Sequence, residues 1–267
     1  MGELAKRSLT GAVYVAITLG AAFAGPVTTT LLFLPVCLLA AHELHRLGSG
    51  NPAQQPDTVL LLAAAFVYLA VALVNIIPRI SPLLAAGAVF LAVFFAVVDL
   101  LWRKEGLVGR DFGLVLQVVF LVALPFGLIP ALMHQGPELF IGFMVMLWTN
   151  DTGAYLVGRS MGRTPLLARI SPKKTVEGLL GGIALAMAAG WVLSMAWPVL
   201  APQEWILCAA AVAVAATIGD LLESAMKREA GVKDSGTILP GHGGILDRFD
   251  GFLLALPAMA ILVELMH

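Results

Sequence analysis

Charge is scarce in this chain. Only 12% of its 267 residues are Asp, Glu, Lys or Arg, where a soluble globular domain carries about 25%. Sixty per cent are hydrophobic, more apolar surface than one soluble core can hide, so much of it must face lipid. Cysteine is nearly missing as well. Cys37 and Cys208 stand far apart in apolar stretches, which excludes a disulfide framework and a cysteine-based metal site. There is no internal repeat, no low-complexity tract and no stretch that reads as a soluble domain. No Ser/His/Asp or Cys/His arrangement stands out, and His242 lacks the spacing of a zinc site.

What fills the chain instead is long apolar runs. A spanning helix needs about 20 mostly apolar residues. Nine runs qualify: 8–24, 26–45, 58–77, 82–102, 111–133, 137–158, 176–198, 203–226 and 245–266. Pro26, Pro78, Pro82, Pro137 and Pro202 sit at or near their ends, where a missing N–H does least harm. Open sheets cannot span lipid, so each run is predicted helical. The fold class is therefore an all-α polytopic membrane protein. The run ending Ala22-Phe23-Ala24-Gly25 has the look of a cleavable leader, but Pro26 and a second apolar run follow at once, which favours a retained first helix.

The few charges are unevenly placed. With the N-terminus and the loops after helices 2, 4, 6 and 8 on one side, that side holds fifteen of the 16 Lys and Arg residues, and the other side holds only Arg79. Positive charge stays inside, so the N-terminus is predicted cytoplasmic and, with nine crossings, the C-terminus outside. Residues 1–135 are expected to form a scaffold of five helices that carries dimer or lipid contacts. Residues 136–267 are expected to form the catalytic region of four helices and their cytoplasmic loops, because nearly all clustered polar residues lie there. His42, Glu43 and His45, at the end of helix 2, are placed at the membrane interface, and Asp99 with Arg103 at an ion-pair spacing.

Three segments carry the chemistry. Helix 8 ends with Asp220, Glu223, Ser224 and Lys227 at i, i+3, i+4 and i+7, on one helical face, followed by Arg228 and, in the next loop, Lys233. Two carboxylates on one face repel unless a cation lies between them. A Glu223/Lys227 or Asp220/Lys227 ion pair is the plain reading, and a metal or phosphate site the functional one. The loop runs to Gly241-His242-Gly243-Gly244, where backbone N–H groups can approach an anion at a helix start. Helix 9 opens with Asp247, Arg248 and Asp250, whose acids either cap the helix or join an oxygen-ligand cation site. Helix 6 holds Asp151 before Tyr155, as a buried structural acid or a member of the same site. The loop into helix 7 holds Lys173 and Lys174, which either anchor at headgroups or bind polyphosphate as point charges. Acids for one or two metals, cations for phosphates and a glycine-rich loop are the parts needed for phosphoryl-type transfer.

The run Ser224-x-x-Lys227-Arg228-x-x-x-x-Lys233-Asp234-x-x-x-x-x-Pro240-x-His242-Gly243-Gly244-x-x-Asp247-Arg248-x-Asp250 resembles the signature of the phosphatidate cytidylyltransferases. The Asp151-to-Tyr155 and Ser171-to-Thr175 segments resemble that family too, so the specific likeness covers roughly residues 148–251. Two departures, Val176 for a frequent aromatic and Gly251 for a frequent serine, remove no charged group. The resemblance implies transfer of the cytidylyl group of CTP to phosphatidate in the bilayer, with release of pyrophosphate, at the cytoplasmic face of the cell membrane. It implies Mg²⁺, with a second cation such as K⁺, and no nucleic-acid partner; a homodimer is the expected assembly. Asp220 and Asp247 are the leading ligands, with Asp151, Glu223 and Asp250 as further ligands or outer partners. Lys173, Lys174, Ser224, Lys227, Arg228, Lys233, Arg248 and the Gly241–Gly244 loop are candidates for the phosphates. A different CTP-using lipid enzyme, such as a polyprenol kinase, stays open at this point. So does a transporter using intramembrane acids, against which the nearly uncharged outer face weighs.

Overall fold

A computed structural model describes residues 3–50, 55–103, 107–236 and 243–267, with side chains from residue 11 onward. Among these residues nine helical segments follow the nine apolar runs: α1 (Glu3–Ala24), α2 (Pro26–Ser49), α3 (Thr58–Ile76), α4 (Pro82–Trp102), α5 (Val108–Met133), α6 (Glu138–Met161), α7 (Val176–Ala196), α8 (Pro202–Glu229) and α9 (Leu246–Met266). Seven of them, α2 to α5 and α7 to α9, are long and apolar enough to cross a membrane. In α1 only Gly11–Ala24 is apolar throughout, and α6 is diluted by Asn150 and Asp151.

Two details depart from the expected pattern. α5 is not one regular helix. An α-helical stretch, Val108–Gln117, passes into a π-helical turn, Val118–Ala123, then a short α turn and a 3₁₀ turn ending at Met133. Pro125 and Pro130 lie in the later turns, where each removes a backbone donor. The connection into α7 is also not a plain loop. It folds as an antiparallel hairpin, β1 (Pro165–Leu167) with β2 (Ser171–Thr175), pairing Pro165 with Thr175 and Leu167 with Ser171.

The chain forms two compact units. One comprises Met1–His134 with Asp234–Arg248, the other Gln135–Lys233 with Phe249–His267. In the first unit the Tyr68 hydroxyl donates to the carbonyl of Thr30 at 2.6 Å, and Phe33 meets Phe126 with ring centroids 6.0 Å apart. Arg103 joins the ends of α3 and α4: it pairs with Asp57 at 2.7 Å and, at the expected helical spacing, with Asp99.

The second unit is held by small residues. A Cβ on Gly182 would lie 2.6 Å from Asn150 Oδ1, one on Gly178 2.9 Å from the carbonyl of Ala154, and one on Gly181 2.5 Å from Val157. Glycines therefore let the backbones of α6 and α7 touch, the packing that helices in lipid favour. The same device recurs between α8 and α9: a Cβ on Gly219 would meet the Asp250 carbonyl at 2.5 Å, and one on Gly251 would meet Ala216 at 3.2 Å. Gly251, the departure from the signature noted above, thus lies where a larger residue would press on α8.

Candidate functional site

A cleft of about 570 Å³ opens in the second unit between α6, the hairpin, α7 and α8. That is within the range of small-molecule sites. Three devices set its walls. Thr175 caps α7 by accepting a hydrogen bond from Gly178 N at 3.1 Å. Glu177 accepts from the backbone N–H groups of Arg163, at 3.0 Å, and Thr164, and from the Thr164 hydroxyl at 2.9 Å, so the hairpin is tied to the first turn of α7. The glycine contacts then bring α6 against α7.

Into this cleft the fold gathers Asp151 from α6, Lys173 and Lys174 from β2, and Asp220 from α8. Lys174 Nζ is ion-paired with Asp220 Oδ2. The other oxygen, Oδ1, accepts from Ser224 Oγ at 3.3 Å. Asp151 is exposed at the cleft, and Asn150 Nδ2 approaches its Oδ1 at 3.3 Å. Asp250, from α9, lies within electrostatic range of Asp220, Asp151 and Lys174, and its Oδ1 accepts from Gly251 N at 2.6 Å. Asp151 and Asp220 thus line the cleft together with Lys174, and Asp250 acts on them electrostatically. These acids offer only oxygen donors, the kind a hard divalent cation takes. Among the described residues no three His, Cys, Asp or Glu side chains converge tightly enough to form a ready cage.

The remaining candidates are distributed more widely. Glu223 and Lys227 form a buried pair at 2.5 Å, one turn beyond Asp220. Arg228 Nη1 donates to the Val232 carbonyl at 3.0 Å and closes the turn after α8, and Lys233 is exposed. Arg248 is exposed at the start of α9. Gly241 and His242 lie outside the described residues. Asp247 belongs to the first unit, where its Oδ2 accepts from Ser235 N at 2.9 Å and Gly244 N at 2.8 Å. Gly243 has φ of +86°, and a Cβ there would lie 2.7 Å from that same oxygen, so this position suits glycine twice over.

Sequence reasoning passed over several residues. Tyr155 and Arg159 line the cleft, with Arg159 Nη1 donating to the Tyr155 hydroxyl at 2.9 Å; their i, i+4 spacing on α6 was the available signal. Glu43 is the larger omission: it is fully buried and hydrogen-bonded to Ser235, Ile245 and Leu246.

Known proteins resemble this chain over nearly its whole length. The cytidylyltransferase family profile matches residues 5–266. The chain is 32% identical over 271 aligned positions to a phosphatidate cytidylyltransferase of Bacillus subtilis (strain 168), covering 99% of both chains. It is 33% identical over 262 positions to that of Staphylococcus epidermidis (strain ATCC 35984), covering 96% of this chain and 98% of the other. With the enzyme of Staphylococcus aureus (strain COL) identity is 44% over 132 residues, about half of each chain. The chain is a multi-pass membrane protein and belongs to the cytidylyltransferase family, the nucleotidyltransferases of phospholipid synthesis.

Proposed function

We propose that this protein transfers the cytidylyl group of CTP to phosphatidate, giving CDP-diacylglycerol and pyrophosphate. The observation that carries the proposal is the cleft of the second unit, where the Lys174–Asp220 pair stands beside Asp151, Lys173 and Arg159.

The phosphatidate monoester has a second pKa near 6 and is largely dianionic at pH 7. Its oxygen attacks the α-phosphorus of CTP, the bond to the β-phosphate oxygen breaks, and pyrophosphate leaves with the electron pair. No strong base is needed. The obstacle is repulsion between two polyanions, so the residues that matter are those that neutralise and align phosphate oxygens. Lys173, Lys174 and Arg159 give the cleft three cations against the carboxylates of Asp151 and Asp220. Asp220 holds Lys174 in place, and Ser224 in turn holds Asp220. The acids that would hold Mg²⁺ in this unit are Asp220, Asp250 and Asp151; when bound, it would cancel phosphate charge and orient the nucleotide. Asp247 in the first unit is proposed as a further ligand on the strength of the signature alone.

The Lys and Arg distribution supports nine crossings with the N-terminus in the cytoplasm. The cleft residues then face the compartment that holds CTP, and the lipid reaches them from the adjoining leaflet. Purified protein should be given phosphatidate, Mg²⁺ and CTP labelled at the α-phosphorus. One labelled lipid and one pyrophosphate per turnover are expected. Release of CDP with an unlabelled, phosphorylated lipid would show a kinase and overturn the proposal.

A further inference from the structure

Glu43 is a carboxylate with 0% exposure near the end of α2, far in sequence from every residue of the signature. Both of its oxygens are engaged with that signature. Oε1 accepts from Ile245 N at 3.1 Å. Oε2 accepts from Ser235 Oγ at 2.9 Å and from Leu246 N at 2.8 Å. One turn along the helix, Arg46 Nη2 donates to the Ser235 carbonyl at 2.7 Å. The residues clasped in this way lie on both sides of the 237–242 stretch.

The fit is tight on every side. A Cβ on Gly236 would lie 2.3 Å from Glu43 Oε1, and a Cβ on Gly244 would lie 2.3 Å from Oε2 and 2.1 Å from Ser235 Oγ. Gly236 and Gly244 thus make room for the carboxylate itself. Ser235 is the joint: its hydroxyl binds Glu43, its carbonyl binds Arg46 and its N–H binds Asp247 Oδ2. Gly244 N donates to that same Asp247 oxygen. Two carboxylates, one per helix, therefore stitch the same two flanks together. A carboxyl group buried this deeply is retained only where hydrogen bonds offset its lost hydration. Here those bonds are to the first N–H groups of α9, which favour negative charge.

We infer that Glu43 is a positioning residue for the transfer reaction: it fixes Ser235 and the first residues of α9, and with them Asp247, and so sets the rate of transfer rather than nucleotide affinity. The inference rests on the function proposed above. Glu43→Gln keeps the size of the side chain but places an NH₂ where one oxygen accepts, so a donor meets a donor. The expected result is a fall in kcat of about 100-fold, as for a catalytic group displaced by about 1 Å, with KM for CTP within about threefold of wild type. Amide exchange at Ile245 and Leu246 should accelerate while α3 and α4 keep their protection. Adding Ser235→Ala to Glu43→Gln should cost little more, because both changes cut the same link.

A folded Glu43→Gln protein with kcat within about twofold of wild type would overturn the inference, and so would protection lost evenly across α2 to α5, which is the mark of a residue that only holds the fold. Should Glu43→Gln fail to fold, Ser235→Ala alone is decisive: it leaves the carboxylate on α9, should lower kcat about tenfold, and overturns the idea if kcat is unchanged. A wild-type protein with no transfer activity would defeat the proposed function, while the exchange comparison would still test the clasp.

Discussion

Lys174 and Asp220 are each other's partners, and that pairing makes them a unit in any test. Under the proposed function Lys174 has two duties: it neutralises Asp220 before substrate arrives and faces phosphate oxygens afterwards. Lys174→Ala is expected to lower kcat/KM about 100-fold, comparable to the loss of one preorganised donor at a developing charge. Asp220→Asn should cost at least as much, since it removes a proposed cation ligand. The double variant should be scarcely worse than Asp220→Asn, because residues that act together are not additive. Steady-state kinetics on the three proteins check this, and clean additivity would mean that the pair does not work as one. Glu223 shows the opposite case. Its i, i+4 spacing to Lys227 left two readings open, and the structure places the two side chains in a buried ion pair.

At the scale of elements, the second unit depends on bare backbone where helices cross. Gly182→Ala should destabilise the protein by about 1–3 kcal/mol, the usual cost of overpacking, because the new methyl would press on Asn150 Oδ1 and its carbonyl. Gly87→Ala is the matched control in α4, where nothing lies within 4 Å; there the change should be neutral or mildly stabilising through helix propensity. Thermal unfolding in detergent distinguishes the two, and equal shifts would refute the packing account. The helices themselves were legible in the sequence, since apolar length and proline position are local properties, and every predicted run has its helix. The hairpin at Pro165–Thr175 was not legible: its strands are three and five residues long, and the segment reads as a basic loop. The π turn in α5 was hidden for a related reason, because its residues are as apolar as any regular helix. Glu43 escaped because its partners lie about 190 to 200 positions away, and no periodicity reports a contact at that separation.

At the scale of the whole molecule, charge distribution is the ground for the proposed orientation. With Cys37 and Cys208 replaced, an Arg169→Cys variant should react with a membrane-impermeant maleimide only from the cytoplasmic side, and an Arg79→Cys variant only from the opposite side. Both positions are exposed, so labelling is not limited by burial, and the reverse pattern would overturn the proposed orientation. The clasp at Glu43 also bears on how the protein is made. α2 leaves the ribosome early, yet the groups that receive its carboxylate come 192 to 203 residues later. At about 5–20 residues per second, synthesis leaves that acid without its native partners for about 10–40 seconds. The signature segment is thus completed only as the last helix is inserted, and a chain that stops short leaves Glu43 and Arg46 without the groups they hold.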